Sequence, residues 1–328
     1  MKKTFGLLLG GVLLFSACQK TVNRSDEPLS PEDEVSSAPT QRICFSNTVL
    51  EEQMKTDPTL RQRIDDIESF TRRILASPDA ARLLPSGIIE IPVVFNVLYK
   101  TAAQNVSLAQ LQSQIDVLNE DYAGTNADHN LTSTYNSVKA GDIGIRFVLD
   151  QVIRKSTTKT SWKTNDAMKK SSQGGINPTS PTTKLNIWVC NLSGGILGYA
   201  QFPGGSSATD GVVLDDNATG NTGTAAAPFN KGRTATHEIG HWLNLRHIWG
   251  DATCGNDQVG DTPVHNAANY GCPAAGHLST CTGTPVEMTM NYMDYTDDAC
   301  MYMFSNGQRS RMLAVFASGG PRNSFAQP

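Results

Sequence analysis

Three of the six histidines in this 328-residue chain lie within eleven residues, His237 to His247, in the stretch HEIGHWLNLRH. Neutral imidazole is a metal ligand, and spacing decides whether several can meet at one ion. On an α-helix, residues four apart are rotated by about 400°, so His237 and His241 point the same way. Glu238 lies beside them, able to reach water on a shared ion without being needed as a ligand. His247 stands six residues past His241, about 240° round on a continuing helix, and would face away. All three can share an ion only if the helix stops between them. The pattern HExxHxxGxxH achieves this with glycine, where this chain has Asn244. Asparagine is the non-glycine residue that most readily enters the left-handed region, so the turn is expected to survive and the site is read as intact.

The chemistry implied is hydrolysis. Zn²⁺ on three imidazoles keeps an open position for water and lowers the water's pKa to roughly 7. Glu238 can take that water's proton and later pass it to a leaving amine, so no covalent enzyme intermediate is required. An amphipathic surface helix with incidental histidines is the bland alternative. A chance match at all four positions is on the order of one in ten thousand at this composition, which argues against it.

A helix and a sheet must position these groups. From Ile88 the pattern is α/β. IIEIPVVFNVLYK, GIRFVLDQV, KLNIWVCNL and GVVLD read as strands, and the glycine-rich stretch 202–223 as loops around a short strand. In SLAQLQSQIDVLNEDYA, residues Leu108, Leu111, Ile115, Leu118 and Tyr122 share a helical face, with Ser107 and Gln110 fitting a capping box. Upstream, Leu60, Ile64, Ile67, Phe70 and Ile74 mark another helix, and a boundary falls between Ser77 and Gly87.

Met1 to Cys18, MKKTFGLLLGGVLLFSAC, reads as a secretory signal too short for an ordinary spanning helix. Its end FSAC resembles a lipobox with Cys18 as the lipidated residue, although Phe15 stands where leucine is commoner. Residues 19–41 read as a disordered tether. Export follows, as an outer-membrane or cell-surface lipoprotein held by its N-terminal lipid, or as a secreted form after propeptide removal. Net charge is −4 and no basic run stands out, so nucleic acid is excluded as a partner.

The zinc motif is followed by NYMDY, with Met293 and Tyr295. Together these resemble the metzincin peptidases. Within that clan, IPVVFNVLY, LNIWVCNLSGGILGYAQFPG, GRTATHEIGHWLNLRHIWGD, DQVGDTP and NYMDYTDDACMYMFSNGQRSRM resemble the pappalysins over about residues 88–315. The resemblance implies an α/β (α+β) metzincin-like fold. Its upper subdomain, residues 88–247, would hold a twisted mixed sheet, a backing helix and the zinc helix. A smaller irregular lower subdomain, 248–328, would be stabilised by disulfides and calcium and end in a helix near Asn306 to Phe316. Met293 would lie beneath the zinc ligands, and Tyr295 would assist the oxyanion. The activity implied is zinc-dependent endopeptidase action on proteins or peptides. A non-catalytic surface lipoprotein that binds a partner through the same fold, and a zinc hydrolase acting on non-peptide substrates, are the other classes.

Four of the seven cysteines follow the zinc motif, and sequence alone permits three pairings among them. The family pattern implies Cys254–Cys281 and Cys272–Cys300. A second zinc site, using these thiolates with His265 or His277, is the rival, but it lacks a CxxC pair and suits an exported protein poorly. Cys190 reads as a buried free thiol. CGNDQVGDTP concentrates oxygen donors, and the resemblance assigns calcium there to Asp257, the Val259 carbonyl, Asp261 and Thr262. An ordinary Asp/Gly turn is the alternative.

Residues 42–87 read as a propeptide. Its Cys44, in QRICFSN, could fill the zinc's open position in a latent form. Bacterial pappalysins resemble this in having a propeptide cysteine near an arginine, although Phe45 stands here where glycine is expected. Arg72, Arg73 and Arg82 offer basic points for release. Asp294, Asp297 and Asp298 cluster at the methionine turn and would favour Arg or Lys beside the scissile bond, unless they are solvated or bind backbone amides.

Overall fold

The computed structural model describes Met1, residues 39–77, Asp79 and residues 84–326. The expected signal peptide with Cys18, nearly all of the tether, and Arg82 lie outside the described residues.

β1 (Ile89–Tyr99) is rich in β-branched residues and buried on both faces, which suits an interior strand of a parallel sheet. β2 (Ile145–Ser156) and β3 (Leu185–Cys190) flank it in parallel. β5 (Val212–Asp215) continues in parallel beside β3, and β4 (Gly198–Ala200) closes the edge antiparallel to β5. The sheet order is β2-β1-β3-β5-β4. It is a mixed five-stranded sheet, and its antiparallel edge strand has only three residues.

α3 (Leu108–Ala123) backs the sheet between β1 and β2. The capping box expected at its start is only half formed. Ser107 accepts the Gln110 backbone N–H, but the Gln110 amide turns away to the Thr219 carbonyl and the Thr224 hydroxyl, both at 3.0 Å. The expected apolar face is also shifted. Leu108 is 58% exposed, whereas Gln110, Gln114 and Asp121 are buried. These polar side chains fasten the segment that leads into the zinc-motif helix. Gln114 donates to the Gly232 carbonyl at 2.9 Å, and Asp121 accepts from Thr236 and from Tyr292, each at 2.7 Å.

α4 (Arg233–Trp242) carries the first two histidines of the motif, and α5 (Asn306–Ala314) lies near the C-terminus. One hydrophobic cluster joins the sheet, α3, α4, Met293 and α5, so the regions before and after His247 share a core. Cys254–Cys281 and Cys272–Cys300 are disulfides in the irregular region after α4. All four cysteines being paired, the second zinc site has no thiolates left to use. Cys190 is buried and unpaired.

Residues 42–76 pack on this body as part of one compact unit. α1 (Ser46–Thr56) had no clear apolar stripe to announce it; only Ser46 and Val49 are buried. α2 (Leu60–Ala76) rests on α5 through Phe70 and Ile74, against Ala314 and Ala317. Ile64, Ile67 and Phe70 are only half-buried, because the interface also takes in Glu68 and Thr71.

Glycine inside a helix is unfavourable unless something needs the space. At Gly240 that something is Met293, whose sulfur lies 2.5 Å from where a Cβ would sit. Met293 is fully enclosed. Gly240→Ala is expected to lower unfolding free energy by about 1–3 kcal/mol through overpacking, as read by urea denaturation.

Candidate active site

α4 ends in a Schellman turn. The Leu245 N–H reaches the Gly240 carbonyl, and the Asn244 N–H reaches that of His241, both at 2.9 Å. Asn244 sits between them with φ of 72°, in the left-handed region. The chain reverses there and returns His247 to the other two histidines. Arg311 of α5 holds the Asn244 carbonyl at 2.7 Å and is itself paired with Glu68 of α2.

The three rings converge through their Nε2 atoms. His241 Nε2 lies 3.2 Å from that of His237 and 3.1 Å from that of His247. Each Nδ1 faces an acceptor: the Tyr292 carbonyl at 2.6 Å, the Leu245 carbonyl at 2.9 Å and Asp251 Oδ1 at 2.5 Å, respectively for His237, His241 and His247. The protons therefore sit on Nδ1, and three Nε2 lone pairs point at one another. Burial, followed by the neighbouring imidazoles, pushes His237 well below its usual pKa and His241 down to about 3. Neutral, lone-pair-forward rings are what a cation requires. A tetrahedral zinc with Zn–N bonds of about 2.0–2.1 Å separates its nitrogens by about 3.3 Å, so the donor set fits Zn²⁺. Trp249 stacks on His247 at 4.3 Å and 6°.

Cys44 Sγ joins this group: the four ligand atoms lie within 4.8 Å of one another and all four residues are buried. The segment carrying Cys44 runs parallel to the β4 edge. Leu197 N–H donates to the Ile43 carbonyl at 3.0 Å, and Phe45 N–H to the Gly198 carbonyl at 3.2 Å. Ser46 Oγ accepts from the Ala200 N–H and donates to Glu238 Oε2, both at 2.8 Å. Glu238 also receives the Cys44 thiol at 3.3 Å. Burial raises the Glu238 carboxyl to about 7, while the Ser46 and Cys44 hydrogen bonds pull the other way. Burial first, then the Glu238 charge, raises the Cys44 thiol.

The methionine turn lies below. Met293 accepts from the Ile248 N–H at 3.1 Å and packs on Gly240. Tyr295 donates to the Cys44 carbonyl at 3.0 Å, and its ring lies 4.9 Å from that of His247. The three aspartates of this turn separate in role. Asp294 is buried and binds the Asn269 and Tyr295 amides at 2.8 Å, so it is not a pocket wall. Asp297 is half-buried. Asp298 faces a guanidinium: Arg42 reaches it at 2.6 Å, with Thr234 and the Thr296 carbonyl at 3.2 Å and the Phe229 ring below.

The DQVGDTP loop brings together only part of its assigned set. Three of the assigned oxygens meet: Thr262 Oγ1 lies 2.8 Å from Asp257 Oδ2 and 3.0 Å from the Val259 carbonyl. Asp261 turns instead to α5, accepting from Ser305 Oγ at 2.6 Å and the Gly307 N–H at 2.8 Å, where a helix N-terminus favours an anion.

Sequence reasoning missed β4, Ser46, Trp249 and Asp251, and it placed an arginine near Cys44 without giving Arg42 a partner. Arg42 and Ser46 flank Cys44 at two residues on either side, which was the available signal.

Residues 180–317 match the peptidase M43 family, described as pregnancy-associated plasma protein-A. An extracellular metalloprotease of Verticillium alfalfae is 35% identical over 274 residues, covering 79% of this chain and 88% of that relative. The chain belongs to the pappalysin family. A promirolysin mutant from Tannerella forsythia superposes with a TM-score of 0.79 at 42% identity, over 87% of this chain and 97% of that one. Mature mirolysin in complex with a cleaved peptide gives 0.71 at 44% identity, over 74% and 97%. This pappalysin is a secreted zinc metalloendopeptidase with an α/β metzincin-like fold.

Its dependence on the left-handed turn is testable. Asn244→Gly should keep zinc affinity within about twofold, since glycine reaches the same φ with less strain. Asn244→Val should lose zinc, because a β-branched residue resists that φ. Titration against a chromophoric chelator reads both.

Proposed function

We propose that the full-length chain is a latent precursor in which the Cys44 thiolate takes the coordination position that catalysis needs. The observation that carries this reading is the grouping of Cys44 Sγ with the three Nε2 atoms. Three more contacts support it. Tyr295 is spent on the Cys44 carbonyl, Glu238 on Ser46 and Cys44, and Asp298 on Arg42. Residues 42–46 thus occupy every group assigned a part in the reaction.

With that segment gone, the roles follow from position. His237, His241 and His247 hold Zn²⁺, which when bound supplies Lewis acidity toward water and the scissile carbonyl. Glu238 takes a proton from the attacking water and returns it to the leaving amine. Tyr295, freed from Cys44, donates its hydroxyl to the developing oxyanion. Met293 supports the floor beneath the ligands.

Asp298 gives the cleft a preference for Arg, and more weakly Lys, beside the scissile bond. Arg42 is the stand-in: its guanidinium makes the contacts a substrate side chain would make. Release follows a cut before β1, in the last turns of α2 or beyond them. Arg72 and Arg73 are exposed on α2, so another copy of an arginine-preferring enzyme could reach them. A calcium ion would be held by Asp257, the Val259 carbonyl and Thr262, whose oxygens already converge, with Asp261 bracing α5 instead. The lipid anchor at Cys18 rests on the lipobox alone.

Two variants test the reaction and the latch. Glu238→Ala should keep zinc and fold while peptide hydrolysis falls about 10²–10⁴-fold. In that uncleavable background, cobalt-substituted precursor should show a thiolate-to-metal charge-transfer band that Cys44→Ala abolishes. Hydroxamate affinity should rise at the same time. A spectrum unchanged by Cys44→Ala would remove the cysteine from the metal even if the rest of the segment still blocks the cleft.

A further inference from the structure

The three imidazoles are not held alike. His237 and His241 give their Nδ1 protons to neutral backbone carbonyls, whereas His247 gives its proton to a carboxylate, Asp251, at 2.5 Å. His247 is also fixed from its face, by the parallel Trp249 ring. Both partners come from the turn that follows the ligand. Gly250 donates its N–H to the His247 carbonyl at 2.8 Å, and Gly250 and Asp251 both take positive φ, 63° and 56°. Aspartate is among the few non-glycine residues that enter that conformation, and here it aims the carboxylate back at the ring two residues beyond Trp249.

We infer that Asp251 is the positioning residue of the zinc site, acting on the metal through His247. This rests on the reading of His247 as a zinc ligand. A carboxylate on Nδ1–H raises the electron density at Nε2 and locks the ring's tautomer and angle. A backbone carbonyl does the same more weakly, because it carries no net charge. Asp251 therefore sets how firmly the third and most remote ligand is held. His247 needs this most, because it lies outside the helix that fixes its two companions. Asp251 also supplies a negative charge that offsets part of the ion's charge without occupying its coordination sphere.

Asp251→Asn separates charge from geometry. Asparagine tolerates the left-handed backbone and can still accept from Nδ1–H, but it carries no charge. The full chain is used, with Glu238→Ala to keep it uncut, and zinc affinity is measured by competition with a chromophoric chelator. The zinc dissociation constant should rise about 10–100-fold, while the melting temperature of the zinc-free protein stays at that of the parent. His247→Ala serves as the control for the ligand reading. If His247→Ala keeps parental zinc affinity, that reading fails, and this inference falls with it. If His247→Ala loses zinc while Asp251→Asn stays within twofold of the parent, the ligand reading stands and Asp251 is not its positioning residue. A zinc loss in Asp251→Asn accompanied by a lowered zinc-free melting temperature would likewise overturn it, assigning the residue to the fold of the turn.

Discussion

Three unprotonated imidazole nitrogens, two of them 3.1–3.2 Å from the third, repel one another until a cation lies between them, and the surrounding fold holds them there. No single element can do it. Each Nδ1 is anchored by a different part of the chain: the methionine turn through Tyr292, the Schellman turn through Leu245 and the following loop through Asp251. These parts can meet only because α4 stops at Trp242 and Asn244 reverses the chain. Gly240 then lets Met293 close beneath the helix, bringing the Tyr292 carbonyl to His237. The polar residues buried on α3 belong to the same device, since Asp121 ties the Thr236 hydroxyl of the helix to the Tyr292 hydroxyl of the turn.

The N-terminal segment uses the β4 edge of the sheet. β4 ends the sheet with unpaired backbone groups, and such an edge takes up an extended peptide. Residues 43–46 do so in parallel, which carries Cys44 to the histidines, Ser46 to Glu238 and Arg42 to Asp298 within five residues of chain. Alternation along an extended strand explains why the residues at 42, 44 and 46 are the ones that reach into the cleft and become buried, while Ile43 and Phe45 stay half-buried.

What could be read in advance follows from how local each signal is. The helix, the turn at Asn244 and the shared direction of His237 and His241 are encoded in eleven contiguous residues. β1, β2, β3 and β5 stood out as runs of β-branched residues. The disulfide pairing came from family resemblance, because spacing alone leaves three choices. β4 was not legible: GYA is three residues with a glycine and no alternation, and only its neighbours make it a strand. Ser46 and Asp251 were missed because their roles depend on contacts across 192 and four residues that no periodicity marks. Gln110 was misassigned because its amide found buried carbonyls near Thr219 in preference to its own N-cap. Asp294 looked like a pocket wall by proximity, yet two backbone amides claim it.

The interface between the N-terminal segment and the rest contains two buried ion pairs, Arg42 with Asp298 and Glu68 with Arg311. Losing one partner of a buried pair usually destabilises by about 3–5 kcal/mol, since the remaining charge stays out of water. If residues 42–76 are removed on activation, as proposed, the penalty is relieved, because the segment that takes away each partner is also the segment that covers the residue left behind. Arg311 would keep the Asn244 carbonyl as it is uncovered, so the turn between His241 and His247 would retain its brace. Asp298 would keep the Lys231 and Arg233 amides and open toward the cleft. On the proposed reading, the carboxylate that grips the segment before activation is the one that selects a cationic side chain afterwards. A single charge then serves latency and specificity in turn, and strengthening one necessarily strengthens the other: a pocket that binds substrate arginine more tightly also binds Arg42 more tightly and is harder to open.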